Sequence, residues 1–255
     1  MDILRKELNA IYASQRLDQE HLSHDEIDAA RQLAEAVVKI DRGCAVVTNA
    51  ASDHCYVYPG KFGGILGFAD AEPFEVESCD EDEIYELIHP EDLVDKRFLE
   101  YEFFKLVTAL NGDERLSRKA TCRLRMKDRT GRYRYVNNST QVIGLSPAGK
   151  IWLILCRYEI SADQNTCANI EPRIVDTATG LVAELEFDAR RRQVLSEREK
   201  EILTLIRDGK PSKQIADALG ISINTVNRHR QNIIAKLSVG NSIEAVTAAT
   251  AMKLL

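Results

Sequence analysis

Apolar residues recur at helical spacing at Ile3, Leu4, Leu8, Ile11 and Tyr12, and again at Ile27, Ala30, Ala34 and Val37, which predicts two helices within residues 1–39. The pattern then changes. Short runs rich in β-branched, aromatic and aliphatic residues at 44–48, 54–58, 119–127, 133–143 and 150–160 read as strands. Asp128-Arg129-Thr130-Gly131 has the composition of a hairpin turn between two of them. In the intervening stretch 84–110, Pro90, Glu91 and Asp92 open a long helix: proline's missing N–H is not needed in the first turn, and the acids sit at the positive end of the helix dipole. A sheet with flanking helices is expected over 40–160. Residues 161–194 are polar and read as a connector, built around a short hairpin at 174–187 with a turn at Thr179-Gly180.

From Leu195 the local chemistry places four helices. Ser196 and Glu199 form an S-x-x-E capping box, in which each side chain takes up a free backbone N–H. The helix they start carries Ile202, Leu203, Leu205 and Ile206 and ends at Asp208-Gly209. Pro211 suits the first turn of the next helix, whose buried stripe is Ile215, Ala216 and Leu219 and whose stop is Gly220. Only Ile221 separates that glycine from Ser222, a good N-cap, so the second and third helices meet at a sharp angle in a helix-turn-helix. The fold class is therefore α+β: an antiparallel sheet with helices, then an all-α four-helix module.

On a helical wheel, Val226, Ile233 and Leu237 of the third helix share one side, while Asn224, Arg228, Gln231 and Asn232 lie near the opposite one, with Asn227 on the flank. An outward face of this kind suits the DNA major groove, where Arg pairs with guanine O6 and N7 and Asn or Gln with adenine N6 and N7. Ser212, Lys213, Thr225 and His229 are better placed for phosphates, which anchor without carrying base information. Arg230 points partly inward and receives no role.

Charge supports the same division. The net charge of −6 conceals a basic tail of +5 over residues 187–255 and a body of −11 over residues 1–186, so an anionic partner is expected for the tail alone. The six cysteines lack any CxxC or Cys/His spacing suited to zinc and are expected as reduced thiols. The longest strongly apolar run, 151–156, is far too short to cross a bilayer, and the N-terminus has no signal-peptide pattern; a cytoplasmic protein with no membrane partner is expected.

The segment LSEREKEILTLIRDGKPSKQIADALGISINTVNRH closely resembles the LuxR-type helix-turn-helix, through L-S-x-R-E-x-E-I-L, I-A, L-x-I-S, T-V and H. The resemblance covers 195–255 and implies that Thr225, Val226, Asn227, Arg228 and Gln231 lie at the DNA surface with Lys213 nearby. Asn227 stands where lysine is common in that family. The resemblance also makes the last helix, with Ala245, Val246, Ala248, Ala249 and Met252, a homodimer contact, although the same alanines would equally cover the module's own core. IHPEDL, CRLRMKDRTGRYRYV and IWLILCRYEIS resemble a PAS domain over 40–160, which implies a five-stranded antiparallel sheet that senses a small molecule or mediates protein contacts.

The remaining chemistry is sparse. Arg123, Arg125, Arg132 and Arg134 alternate on neighbouring strands; pairing with local acids is preferred over an anion-binding stripe. His89, just before Pro90, fits a structural contact at a helix start better than a metal ligand. No flavin-adduct cysteine, Gly-rich phosphate loop, nucleophile–base pair or metal cluster is recognisable, so no cofactor and no enzyme activity are expected. The reading is a sequence-specific transcriptional regulator of double-stranded DNA with a possible small-molecule ligand, RNA polymerase being a further possible partner. A sigma-factor-like subunit and a phosphorylated response regulator are the alternatives; the first lacks an aromatic-rich helical domain and the second a βαβ receiver.

Overall fold

The computed structural model describes residues 2–67, 72–79, 81–167, 169–183, 185, 195–237, 239–251 and 254–255. The chain divides into two compact units, one of residues 7–185 and one of residues 186–255 together with 1–6.

The helices α1 (Asp2–Ser14), in the first unit from Glu7 onward, and α2 (His24–Asp41), wholly within it, follow the apolar period of the sequence. The sheet strands are β1 (Cys44–Asn49), β2 (His54–Tyr58), β3 (Phe74–Val76), β4 (Arg118–Lys127), β5 (Tyr133–Leu145), β6 (Ile151–Ile160), β7 (Arg173–Asp176) and β8 (Val182–Ala183). They lie in the order β3-β2-β1-β6-β5-β4-β7-β8, and every described pairing is antiparallel. The expected five strands are β1, β2, β4, β5 and β6; three short strands extend the sheet at its two edges.

Two segments are more closely tied to the sheet than the sequence suggested. The small residues Ala30 and Ala34 let α2 approach closely, and they are buried in one cluster with Ala45, Val47, Trp152 and Leu155. The helix is thus a wall of the sheet's own core. The expected connector also contributes: β7 pairs with β4 and puts Ile174 opposite Ala120, while the carbonyl of buried Ile170 accepts from the Arg123 N–H at 2.7 Å. Of the hairpin expected at 174–187, the described residues form β7–β8, with Gly180 at φ +76° in its turn, while residues 184, 186 and 187 lie outside them.

Short α3 (Gly60–Leu66) and α4 (Asp82–Tyr85) precede the long α5 (Pro90–Ala109). Gly60 has φ +55°, and a Cβ there would stand 2.3 Å from the Gly43 carbonyl oxygen and 2.5 Å from a Val38 methyl. The chain turns against its own backbone at a point where only glycine fits. At the start of α5, Pro90 takes the first helical position and His89 is the N-cap, its Nδ1 accepting from the Glu91 N–H at 3.3 Å. In the 128–131 turn, Asp128 Oδ1 accepts from the N–H groups of Thr130 and Arg132 at 2.8 and 3.0 Å, with Gly131 at φ +84°.

The second unit contains α6 (Glu197–Arg207), α7 (Ser212–Leu219), α8 (Ile223–Leu237) and α9 (Ser242–Ala251). Its buried residues include Leu195, Ile202, Leu203, Ile215, Ala216, Val226, Ile233, Leu237, Ala245 and Ala249.

Candidate nucleic-acid interface

The helix-turn-helix is held by contacts that also explain its motif residues. The capping box at Ser196 is complete: its Oγ accepts from the Glu199 N–H at 3.3 Å and its own N–H donates to Glu199 Oε2 at 2.8 Å. The same carboxylate receives Lys236 Nζ of α8 at 2.6 Å, so one buried acid caps α6 and ties it to the last turn of α8. Burial opposes the charge on Glu199, but Lys236 and Ser196 outweigh it and hold the carboxyl below its ordinary pKa. Arg198 Nη2 donates to the Leu219 carbonyl at 2.8 Å, satisfying an oxygen at the C-terminal end of α7. Gly220, at φ +64°, ends that helix, and Ser222 Oγ accepts from the Thr225 N–H at 3.1 Å to start α8. Pro211 stands one position earlier than expected, as the residue flanking α7 rather than in its first turn.

The residues expected at DNA divide by exposure. Lys213, Asn224, Asn227, Arg228 and Gln231 are exposed, and Thr225 and His229 are half-buried. Val226 is a correction: its side chain is fully buried in the module's core. The resemblance placed it at the DNA surface, but the inward position on the helical wheel decides its environment. Ala245 and Ala249 are likewise fully buried within this module, so they are unavailable to a second copy, while Met252 lies outside the described residues. Ser212 is half-buried and its hydroxyl is engaged: Oγ accepts from Arg230 Nη1 at 2.9 Å and donates to Asn227 Oδ1 at 3.1 Å. Arg230 Nε also donates to Ser242 Oγ at 3.1 Å. Arg230 therefore joins the starts of α7 and α9 to α8, a role hidden by its intermediate angle on the wheel. The available signal was its position one turn after Asn227 with serines opening both neighbouring helices.

Of the four arginines expected to alternate on neighbouring strands, Arg123, Arg125 and Arg134 pair with acids. Arg123 meets Asp163 and Glu171 at 2.8 and 3.0 Å, Arg125 meets Glu91 and Asp92 at 2.8 and 2.6 Å, and Arg134 meets Asp128 at 3.1 Å. His89, Glu91 and Asp92 present ligand-type atoms close together, but Arg125 occupies both carboxylates and the His89 Nδ1 caps α5. The six cysteines carry free thiols. Burial pushes the Cys122 thiol up to about 12 and raises Cys44 and Cys156 as well, which suppresses the nucleophilic thiolate.

Helix α5 carries charge into the interior. Lys96 is fully buried, with Nζ 2.7 Å from Glu100 Oε1. Tyr85 donates to the same oxygen at 2.5 Å, and Tyr158 donates to Glu81 at 2.6 Å. Desolvation raises the Glu81 pKa, whereas for Glu100 the cations Lys96 and Arg97 overcome desolvation and lower it. These charges went unnoticed in the sequence because charged residues on a helix normally face water.

Comparison with known proteins covers chiefly the second unit. Residues 193–249 match the family model described as "Bacterial regulatory proteins, luxR family"; this segment is a LuxR-type helix-turn-helix. The uncharacterized response regulatory protein YgeK of Escherichia coli is 50% identical over 58 residues, 23% of this chain and 40% of that protein. The transcriptional regulatory protein DesR of Bacillus subtilis is 49% identical over 53 residues, 21% of this chain and 27% of that one. PhzR, a transcriptional activator of Pseudomonas fluorescens, is 36% identical over 74 residues, 28% and 30% of the two chains. The chain thus spans less than half the length of these relatives. A Vibrio cholerae VqmA–ligand–DNA complex aligns over 91% of this chain and 89% of that one at 18% identity, with a TM-score of 0.30; a Burkholderia thailandensis sensory box histidine kinase/response regulator aligns over 51% and 84% at 18% identity, with a TM-score of 0.34. Neither score carries a property from those proteins to this one.

Proposed function

We propose that the chain is a cytoplasmic transcriptional regulator in which α8 reads the major groove of double-stranded DNA and the unit of residues 7–185, PAS-like over 40–160, governs that binding. The observation that carries this reading is the combination of exposed Asn224, Asn227, Arg228 and Gln231 on α8 with the luxR-family match over the same segment. Arg228 and Gln231 are the base readers, Lys213 and His229 the phosphate contacts. Two copies acting on paired half-sites supply specificity that one small module lacks; Ile243, 79% exposed on α9, and half-buried Val246 remain available for that contact.

For the first unit, a sensory role is supported by its antiparallel sheet with flanking helices and by ionic groups buried on α5, whose desolvation is costly if stability alone is at stake. A signal acts here only by binding two arrangements of the protein with different affinity. Antiparallel pairing throughout the described strands also disfavours a response-regulator reading, which needs a βαβ receiver. No helix among the described residues is long and apolar enough to cross a membrane. With transcription regulators as its relatives, the chain is read as a binding protein rather than an enzyme, acting on RNA polymerase at the promoters it occupies.

The test is binding of the purified chain to a randomised duplex library as salt is varied. Enriched paired half-sites are expected. Arg228→Ala relaxes the base preference at one position per half-site, whereas Lys213→Ala weakens all sequences alike and lowers the salt slope by about 1 per site. Binding without enrichment refutes sequence-specific regulation, and identical effects of the two variants refute the division of roles.

A further inference from the structure

The chain of hydrogen bonds from Arg230 through Ser212 to Asn227 has a direction. A guanidinium only donates, a hydroxyl carries one proton and accepts on its lone pairs, and a side-chain amide has a donor end and an acceptor end. Arg230 Nη1 donates to Ser212 Oγ at 2.9 Å, and the serine proton passes on to Asn227 Oδ1 at 3.1 Å. Arg230 is itself fixed by its second bond, from Nε to Ser242 Oγ at 3.1 Å, and Ser242 is buried. The guanidinium takes one lone pair of the hydroxyl, and the amide oxygen facing it takes the serine proton. Asn227 is exposed on the face of α8, and with Oδ1 turned back onto Ser212 the amide is left with Nδ2 to offer.

From this we infer that Asn227 reads guanine, donating from Nδ2 to O6 or N7, and that Ser212 and Arg230 are the positioning residues that turn its Oδ1 away and disfavour the usual asparagine–adenine pair. Adenine recognition by asparagine needs both ends of the amide: Oδ1 accepts from N6 while Nδ2 donates to N7. Here Oδ1 is held on the protein. Guanine presents two adjacent acceptors and no donor at that edge, so a donor-only amide matches it, and adenine leaves N6 facing an N–H group. Ser212 thereby acquires a role different from a phosphate contact: its hydroxyl sets which base its neighbour reads. The inference rests on α8 being the DNA-reading helix.

The experiment is selection of duplexes from a randomised library by the full chain, comparing the native protein with Asn227→Ala, Ser212→Ala and Ser242→Ala, each checked for folding by circular dichroism. Asn227→Ala identifies the column that Asn227 reads, by flattening it. That column is expected to be a G·C pair with the native protein. Ser212→Ala frees the amide to turn and admits A·T there, reducing the guanine-over-adenine ratio about fivefold, the value of one hydrogen bond. Ser242→Ala removes the bond that fixes Arg230 and shifts the ratio in the same direction, by less than Ser212→Ala does. A merely structural Ser212 would instead lower affinity for all sequences and keep the ratio, which overturns the inference. So does a column that is already A·T with the native protein, or an Asn227→Ala variant that flattens no column. If the native protein enriches no sequence, the DNA-reading function itself falls, an outcome distinct from an enriched site whose base ratio is indifferent to Ser212.

Discussion

Replacing Lys96 by methionine removes a charge while keeping most of the side chain's volume. In the native unit the ammonium is fully buried, lies 2.7 Å from Glu100 Oε1, and stands 5.0 and 5.7 Å from the ring centres of Tyr85 and Tyr158. Without it, Glu100 keeps the Tyr85 hydroxyl at 2.5 Å and Arg97 at 3.7 Å, and its Oε2 has no hydrogen-bond partner among the described residues. Breaking a buried pair in this way costs about 3–5 kcal/mol, or roughly 10 °C in Tm for a unit of this size. Trp152, the single tryptophan of the chain, is fully buried in the same unit, so its fluorescence during urea or thermal unfolding reports this unit selectively. The pH dependence has a definite sign. In the native protein the Glu100 pKa is lowered; its contribution is present above the unfolded carboxyl value and is lost as pH falls through the folded one. In Lys96→Met, desolvation prevails and the folded pKa rises, so the deficit is largest near pH 7 and shrinks on acidification toward pH 5. Adding Glu100→Leu to Lys96→Met should recover most of the loss, because the stranded carboxylate is its main source. A loss below about 1 kcal/mol for the single variant, or additive losses in the double variant, would refute the reasoning.

Three further outcomes follow from the geometry. Gly60→Ala should destabilise the first unit by at least about 1–2 kcal/mol, seen as an earlier Trp152 transition, because the added methyl meets the Gly43 carbonyl and the φ of +55° disfavours a side chain. Glu199→Gln should cost the second unit about 1–2 kcal/mol through the weakened cap and lost Lys236 pair; since the native Glu199 pKa is lowered, the native protein loses this contribution on acidification and the variant's deficit should narrow there, as followed by circular dichroism at 222 nm. Val226→Ala should reduce stability by about 2 kcal/mol, the transfer value of two buried methyl-sized groups, yet leave the selected DNA sequence unchanged at low temperature; a shifted base preference would return Val226 to the interface.

Much of the second unit was legible in the chain because its signals are local. The Ser196–Glu199 box, Gly220 and the Ser222 cap each act within one turn of the backbone, and the short connection between α7 and α8 fixes a helix-turn-helix with little help from elsewhere. The wheel placed Val226, Ile233 and Leu237 inward correctly, whereas carrying Val226 to the DNA surface by resemblance was wrong. The long strands were equally visible, since alternation and the Asp128–Gly131 turn are short-range features.

What the sequence by itself determined, then, was the order and type of the principal elements and the polar face of α8, all consequences of periodicity and capping between near neighbours. Tertiary structure decided the rest. Only packing could show that α2 and β7 complete the sheet's core, that Gly60 lies against Gly43, that Lys96 and Glu100 face inward from α5, and that Arg230 reaches serines on two other helices. Each depends on groups distant in the chain coming within a few ångströms, and a charged side chain carries no local mark of whether water or another protein group will surround it.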